Sequence, residues 1–172
     1  AGVGDTFWQY RPAQNYDEMR SIDWRRSARS DALFVQDKEW QIAQSILLWV
    51  DQSASMSFTS LKDGTTKAAR ARTLALATAI LLLRGGERVG LTGGLLPPRR
   101  GAPQIEKMAA LLSEDQADDF GTPNADGMLP HSRALFVSDF MGDLSAIETA
   151  IEKAVNRDVR GALVQILDPA EE

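Results

Sequence analysis

The stretch "LLWVDQSASMSF", residues 47–58, decides how this chain reads. An apolar run suited to a strand buried on both faces stops at Asp51 and gives way to alternating serines. If extended backbone continues past the strand, Asp51, Ser53 and Ser55 fall on one side and share one small volume. Asp and Ser after a strand also build turns and helix caps. The stretch alone therefore leaves two readings open, the corner of a metal site or a polar turn.

Outward from it, residues 44–50 form the middle of a sheet, and "ALFVQDKE", 32–39, is a further segment rich in β-formers. "KAARARTLALATAILLLRGGE", 67–87, carries Ala and Leu at helical spacing and stops at Gly-Gly. "RVGLTGG" is a short strand with a glycine turn, "LLPP" an edge strand because of its prolines, and "APQIEKMAALLSE" a second helix. Residues 114–132, with Gly, Pro, Asn and several Asp, read as a long loop of the kind that often carries function. "RALFVSD" is a second buried strand, again ending on an aspartate, Asp139. "DLSAIETAIEKAVNR" is an amphipathic helix and "GALVQILD" a third buried strand. Strands alternating with helices predict an α/β domain with a mostly parallel central sheet and helices on both faces. Residues 1–31 show no sustained period and predict an irregular arm, packed on the domain through Phe7, Trp8, Tyr10, Ile22 and Trp24. The domain proper is then 32–172.

At 172 residues with 44% hydrophobic content, one packed core is the expectation. A net charge of −5 opposes bulk attraction to nucleic acid or anionic lipid. Without cysteine there is no disulfide framework, thiolate metal site or cysteine nucleophile, which fits a reducing, cytoplasmic setting. The longest apolar segment, "TLALATAILLL", falls short of the ~20 residues of a membrane span, so any anchor is expected outside this chain. The start at "AGVGDTFWQY" reads as that of an excised piece.

In an open α/β sheet, ligands bind beyond the carboxyl ends of the parallel strands, where "WVDQSAS" and "FVSD" both place polar groups. Mg²⁺ or Mn²⁺ suits hydroxyls with one or two carboxylates. Asp51, Ser53, Ser55 and Asp139 are the candidate ligands, and Thr122 in "DFGTPNAD" is the best-placed hydroxyl of the long loop. Two strand-end aspartates favour the metal reading over the turn. The lone His131 sits in a loop beside proline and reads as a solvated or packing residue. Neither a GxSxG elbow nor a GxxxxGK[ST] phosphate loop occurs. Arg25, Arg26 and Arg29 in "WRRSAR" are candidate partner-binding residues. In an acidic chain they are better suited to ion pairs and cation–π contacts that hold the arm than to nucleic acid.

A buried strand running into DxSxSM, then a helix, a strand hairpin and a later "VSDF", resembles a von Willebrand factor A-type (vWA) domain with a metal-ion-dependent adhesion site. More narrowly, "IDWRRSARSDALFVQDKEWQ" and the closing "ILDPAEE" resemble the bacterial domain-of-unknown-function family 58. The likeness covers most of the chain. Family members usually carry a Pro-Gly-Asp turn before "IDW", where this chain has Asn15, Tyr16 and Asp17, and relatives continue beyond "DPAEE", which implies a missing last strand. The resemblance implies a three-layer vWA-like fold, a first metal motif of Asp51, Ser53 and Ser55, and Asp139 as the strand-end aspartate. It implies a non-enzymatic interaction module whose open metal position takes an acidic side chain from a protein partner. A MoxR-type AAA+ ATPase is the implied partner, in complex assembly. The alternative is a Mg²⁺-dependent hydrolase at the same Asp/Ser cluster.

Overall fold

The computed structural model describes residues 6–14, 17–29, 32–39, 43–62, 64–114 and 116–171, at 6–9 and 36–39 by the backbone only. Two compact units emerge, Ala1–Ala43 and Gln44–Glu172. The boundary expected after residue 31 falls inside the first.

In the first unit, strand β1 (Thr6–Pro12), the single-turn helix α1 (Trp24–Ser27) and strand β2 (Phe34–Glu39) fold together. β1 and β2 pair antiparallel as their own two-stranded sheet. The stretch expected to be an irregular arm therefore holds a strand, and 32–39 pairs with it instead of entering the larger sheet. Hydrogen bonds supply the reason. Asp23 caps α1 by accepting from the Arg26 amide at 3.0 Å and also accepts from the Tyr10 hydroxyl at 3.2 Å. Buried Ser27 donates to the Asp23 carbonyl at 2.8 Å and accepts from the Phe34 amide at 2.9 Å. The Arg26 guanidinium lies 4.2 Å from the Tyr10 ring centroid and 5.4 Å from that of Phe34, the cation–π role expected of this arginine run.

Trp24 corrects an expectation. It is 54% exposed, because a one-turn helix buries one face only, and Ser27 is the residue it buries. Tyr10 and Ile22 are half-buried. The packing expected of Phe7 and Trp8, and the turn residues Asn15 and Tyr16, lie outside the described side chains and residues.

Asp17 closes this unit's first loop through two bonds from Arg11, at 2.6 and 2.7 Å, and one from the Gln14 amide at 2.7 Å. Those bonds, the arginine's first, hold its carboxyl down at about 2. A depressed carboxylate stabilises the fold fully above the ordinary aspartate range and loses that contribution as pH falls through its folded value. A pH series of amide spectra is expected to show the Gln14 amide titrating near pH 2. A midpoint near 4 would show the pair to be unformed.

The second unit runs β3 (Ser45–Val50), α2 (Lys67–Arg84), β4 (Arg88–Leu91), β5 (Leu96–Arg99), α3 (Pro103–Leu111), β6 (Arg133–Ser138), α4 (Leu144–Val155) and β7 (Arg160–Gln165). Its five-stranded sheet has the order β5-β4-β3-β6-β7, parallel except for β5 against β4. β3 is central, as its unbroken apolar run predicts, and β5 with its two prolines is an edge. Buried Gln104 donates to the Val89 and Pro97 carbonyls at 2.7 and 2.8 Å, tying together the strands where proline supplies no amide.

Side chains alternate along β3. Ile46, Leu48 and Val50 join one core cluster with Ala68, Ala71, Ala75 and Ala79 of α2 and Met108 of α3. Leu47 joins a second with Phe136 and with Ala154 of α4. A row of alanines lets α2 approach the sheet closely, which leaves larger side chains such as Leu81 in solvent. β7 departs from expectation. It is the other edge of the sheet, and Arg160–Leu163 and Gln165 are exposed. Its apolar run does not by itself distinguish an edge from a centre. Among the described residues, no helix is long and apolar enough to cross a membrane.

Candidate functional site at the carboxyl end of the sheet

β3 and β6 are parallel neighbours, so the residues that follow them meet at one end of the sheet. The ladder continues past the strands, with the Asp51 amide on the Val137 carbonyl at 2.9 Å. Both Asp51 oxygens are engaged. Oδ1 accepts from the Ser53 amide at 2.9 Å and Oδ2 from the Ser138 hydroxyl at 2.6 Å. Ser138 Oγ in turn accepts from the Phe140 amide at 2.9 Å. The hydroxyls of Ser53 and Ser55 are 3.2 Å apart. Asp51, Ser53, Ser138 and Asp139 are all 1–2% exposed. Phe140 takes φ +54° directly after Asp139, a left-handed turn that a non-glycine residue rarely adopts. It lets the Phe140 and Met141 amides turn back onto Ser138 and Asp139.

The long loop locks onto this pair. Ala54 and Ser55 amides donate to the Asp118 and Asp119 carbonyls, both at 2.9 Å, and Gln116 donates to the Gln52 carbonyl at 2.9 Å. The Gln52 side chain donates to the Leu111 and Glu114 carbonyls. Gly121 passes so close to Asp51 that an added Cβ would stand 2.2–2.4 Å from its carboxylate atoms. Three loops thus interlock, and their exposed residues include Phe58, Phe120 and Met141, with Asp118 and Asp119 between them in sequence.

A residue not singled out from the sequence sits at the centre. Lys67, the first residue of α2, is 2% exposed, and its ammonium donates to Asp139 Oδ2 at 2.8 Å and to Glu171 Oε1 at 2.6 Å. Burial works against the charge of Lys67, but hydrogen bonds and attraction from both carboxylates outweigh it and raise its pKa. For Asp139, burial pushes upward, while bonds from Lys67, the Met141 amide and the Ser55 hydroxyl, with the lysine's charge, bring the net direction down. Glu171 is held in place by its own turn. Its Oε2 accepts from the Asp168 amide at 2.9 Å, and Asp168 accepts from the Ala170 and Ser60 amides, each at 3.0 Å. In "DPAE" the glutamate side chain thus reaches back to the backbone amide three residues before it, one half of the capping-box pattern.

Of the five expected ligands, the structure brings together Asp51, Ser53, Ser55 and Asp139. Thr122 is exposed and, among the described residues, makes no hydrogen bond to them. As a set for a divalent cation these groups fit poorly. Lys67 already stands on the Asp139 oxygen and would repel a second cation there. Both Asp51 oxygens are hydrogen-bonded, and among the described residues no three His, Cys, Asp or Glu side chains converge as a metal site. His131 precedes β6, at the opposite end of the sheet from Asp139, and pairs with Asp158 at 2.7 Å while largely exposed. Arg25, Arg26 and Arg29 line a cleft with Tyr10, Asp23 and Phe34 within the first unit.

A family model described as "Protein of unknown function DUF58" matches residues 9–172. No curated protein matches the chain.

Proposed function

Since the chain belongs to this family of unknown function, we propose from its own geometry that it is a vWA-type, non-enzymatic interaction module. It binds a protein partner on the interlocked loops at the carboxyl end of the sheet. The mostly parallel sheet, with one core cluster joined by α2 and α3 and another by α4, supports the three-layer vWA-like arrangement. The observation that carries the reading is the platform itself. Buried, fully bonded polar groups hold three loops rigid, and exposed apolar side chains of Phe58, Phe120 and Met141 stand on those loops. Solvent-facing aromatics on a rigid support are the anchors from which interfaces draw most of their binding energy.

The hydrolase alternative receives less support. A lysine held charged between two carboxylates is no general base for Ser53 or Ser55, and the one histidine lies at the far end of the sheet. A MoxR-type AAA+ ATPase is the partner proposed, in complex assembly in the cytoplasm, on the strength of the family resemblance. Immobilised chain is expected to capture such an ATPase, with affinity falling about 10- to 30-fold in Phe120→Ser or Phe58→Ser, that is, about 1.4–2 kcal/mol per anchor. Capture unchanged by both substitutions would remove the docking face, and steady phosphate or amide release by the purified chain would establish the enzyme instead.

A further inference from the structure

We infer that the cation of this site is the chain's own Lys67 ammonium, and that the acidic group facing it is the chain's own Glu171. The centre is therefore an intramolecular ion triad, Asp139–Lys67–Glu171, that works without a divalent metal. The inference deepens the docking proposal by assigning what holds its platform together.

Three observations put the ammonium on a residue to which the resemblance assigns a metal. It is in direct contact with Asp139, the strand-end aspartate of that motif, at 2.8 Å. Asp139 is further fixed by the Met141 amide, which donates to its Oδ1 at 3.0 Å, beside the loop where the Ser53 and Ser55 hydroxyls lie 3.2 Å apart. And Lys67 is enclosed, 2% exposed at the first turn of a helix, where a lysine's charge opposes the helix dipole and needs a specific carboxylate to hold it. The second half of a metal-dependent contact, a carboxylate from a partner, has its counterpart in Glu171 Oε1 at 2.6 Å. Glu171 is not a loose side chain fallen onto a lysine. Its other oxygen is fixed on the Asp168 amide, and Asp168 is fixed on Ser60, two residues beyond Phe58 of the platform. The triad thus ties together the loop after β3, the turn after β6 and the segment after β7. Partners dock on the rim these loops present, with no open coordination position involved.

The test is a titration of the chain with MnCl₂ alone, free Mn²⁺ being read by electron paramagnetic resonance, with MgCl₂ followed by thermal unfolding in parallel. For the wild type, no saturable binding is expected up to about 10 mM, and Tm should stay within ~1 °C. A metal bound with Kd one-hundredth of its concentration would raise Tm by roughly 5–10 °C for a chain of this size. Saturable Mn²⁺ binding by the wild type that is lost in Asp139→Asn overturns the inference. In Lys67→Ala, the vacated position between Asp139 and Glu171 is expected to bind Mn²⁺ where the wild type does not. A folded Lys67→Ala chain that binds none would show that the ammonium does not stand in a cation's place. If that variant does not fold, the wild-type titration decides alone. Partner capture in EDTA separates the two proposals. Metal binding by the wild type sinks the triad and leaves the docking face standing, whereas capture indifferent to Phe58 and Phe120 sinks the docking face and leaves the triad.

Discussion

Lys67→Met is expected to destabilise the second unit by about 3–5 kcal/mol, the cost of removing one partner from a buried ion pair. Methionine fills much the same volume with an unbranched chain, so the loss is electrostatic more than steric. What it leaves behind is Asp139, 1% exposed, with its Met141 bond intact but no cation opposite Oδ2. Glu171 is less enclosed, at 18%, and can turn to water, so Asp139 carries most of the cost. Neutralising the orphan should therefore relieve it. Lys67→Met with Asp139→Asn is expected to recover more than half of the loss, because an amide oxygen still accepts from Met141 and no charge remains to be buried. Urea unfolding of the wild type, Lys67→Met and the double variant measures this. A single-variant cost below about 1 kcal/mol, or no relief from Asp139→Asn, would mean that the ammonium contributes little beyond its packing.

Asp51 and Asp139 were legible in the sequence because each ends an apolar run, and a parallel sheet brings such ends together whatever else the chain does. Ser53 and Ser55 followed from alternation. Lys67 was not legible through those patterns, yet it left a mark. "TTKAAR" places a lysine immediately after the Thr66 cap, the wrong charge for a helix start, and a local rule broken without local gain points to a distant partner. "DPAE" left another, since an Asp-x-x-Glu spacing sends the glutamate back towards the preceding turn. What neither pattern contains is the meeting of the two, which depends on α2 and the segment after β7 lying over the same strand end. The fold shows the same division. The central place of β3 and the edge place of β5 follow from an apolar run and from prolines. The pairing of 34–39 with 6–12 and the exposure of β7 are set by which neighbours a strand finds, and a strand's own composition does not record its neighbours. Only its loop recommends Thr122 as a ligand. The residue of that loop that meets Asp51 is its neighbour Gly121, invisible to a search for ligands because its contribution is the lack of a side chain.

Gly121→Ala is accordingly expected to act as a core substitution, although it changes a loop residue by one methyl group. The added Cβ would stand 2.2 Å from Oδ1, 2.3 Å from Cγ and 2.4 Å from Oδ2 of Asp51. No rotamer of the loop side relieves this, since the clash is with a Cβ fixed to the backbone. Asp51 cannot swing away without losing the Ser138 hydroxyl and the Ser53 amide, bonded at 2.6 and 2.9 Å. Overpacking costs about 1–3 kcal/mol and a broken charged hydrogen bond about 1–3 more, so a loss of roughly 2–6 kcal/mol is expected if one bond survives. That corresponds to a fall in Tm of roughly 5–25 °C for a unit of this size. Gly85→Ala is the control. Gly85 has φ −73°, and its added Cβ would meet nothing nearer than 3.4 Å, so the change should be neutral or slightly stabilising. A double-mutant cycle makes the cause specific. In an Asp51→Ala background every atom that the new Cβ would strike beyond the position of Cβ itself is gone, and Gly121→Ala should then cost less than about 1 kcal/mol. An equal cost in both backgrounds would show that Gly121 serves the loop's own backbone, not its approach to Asp51.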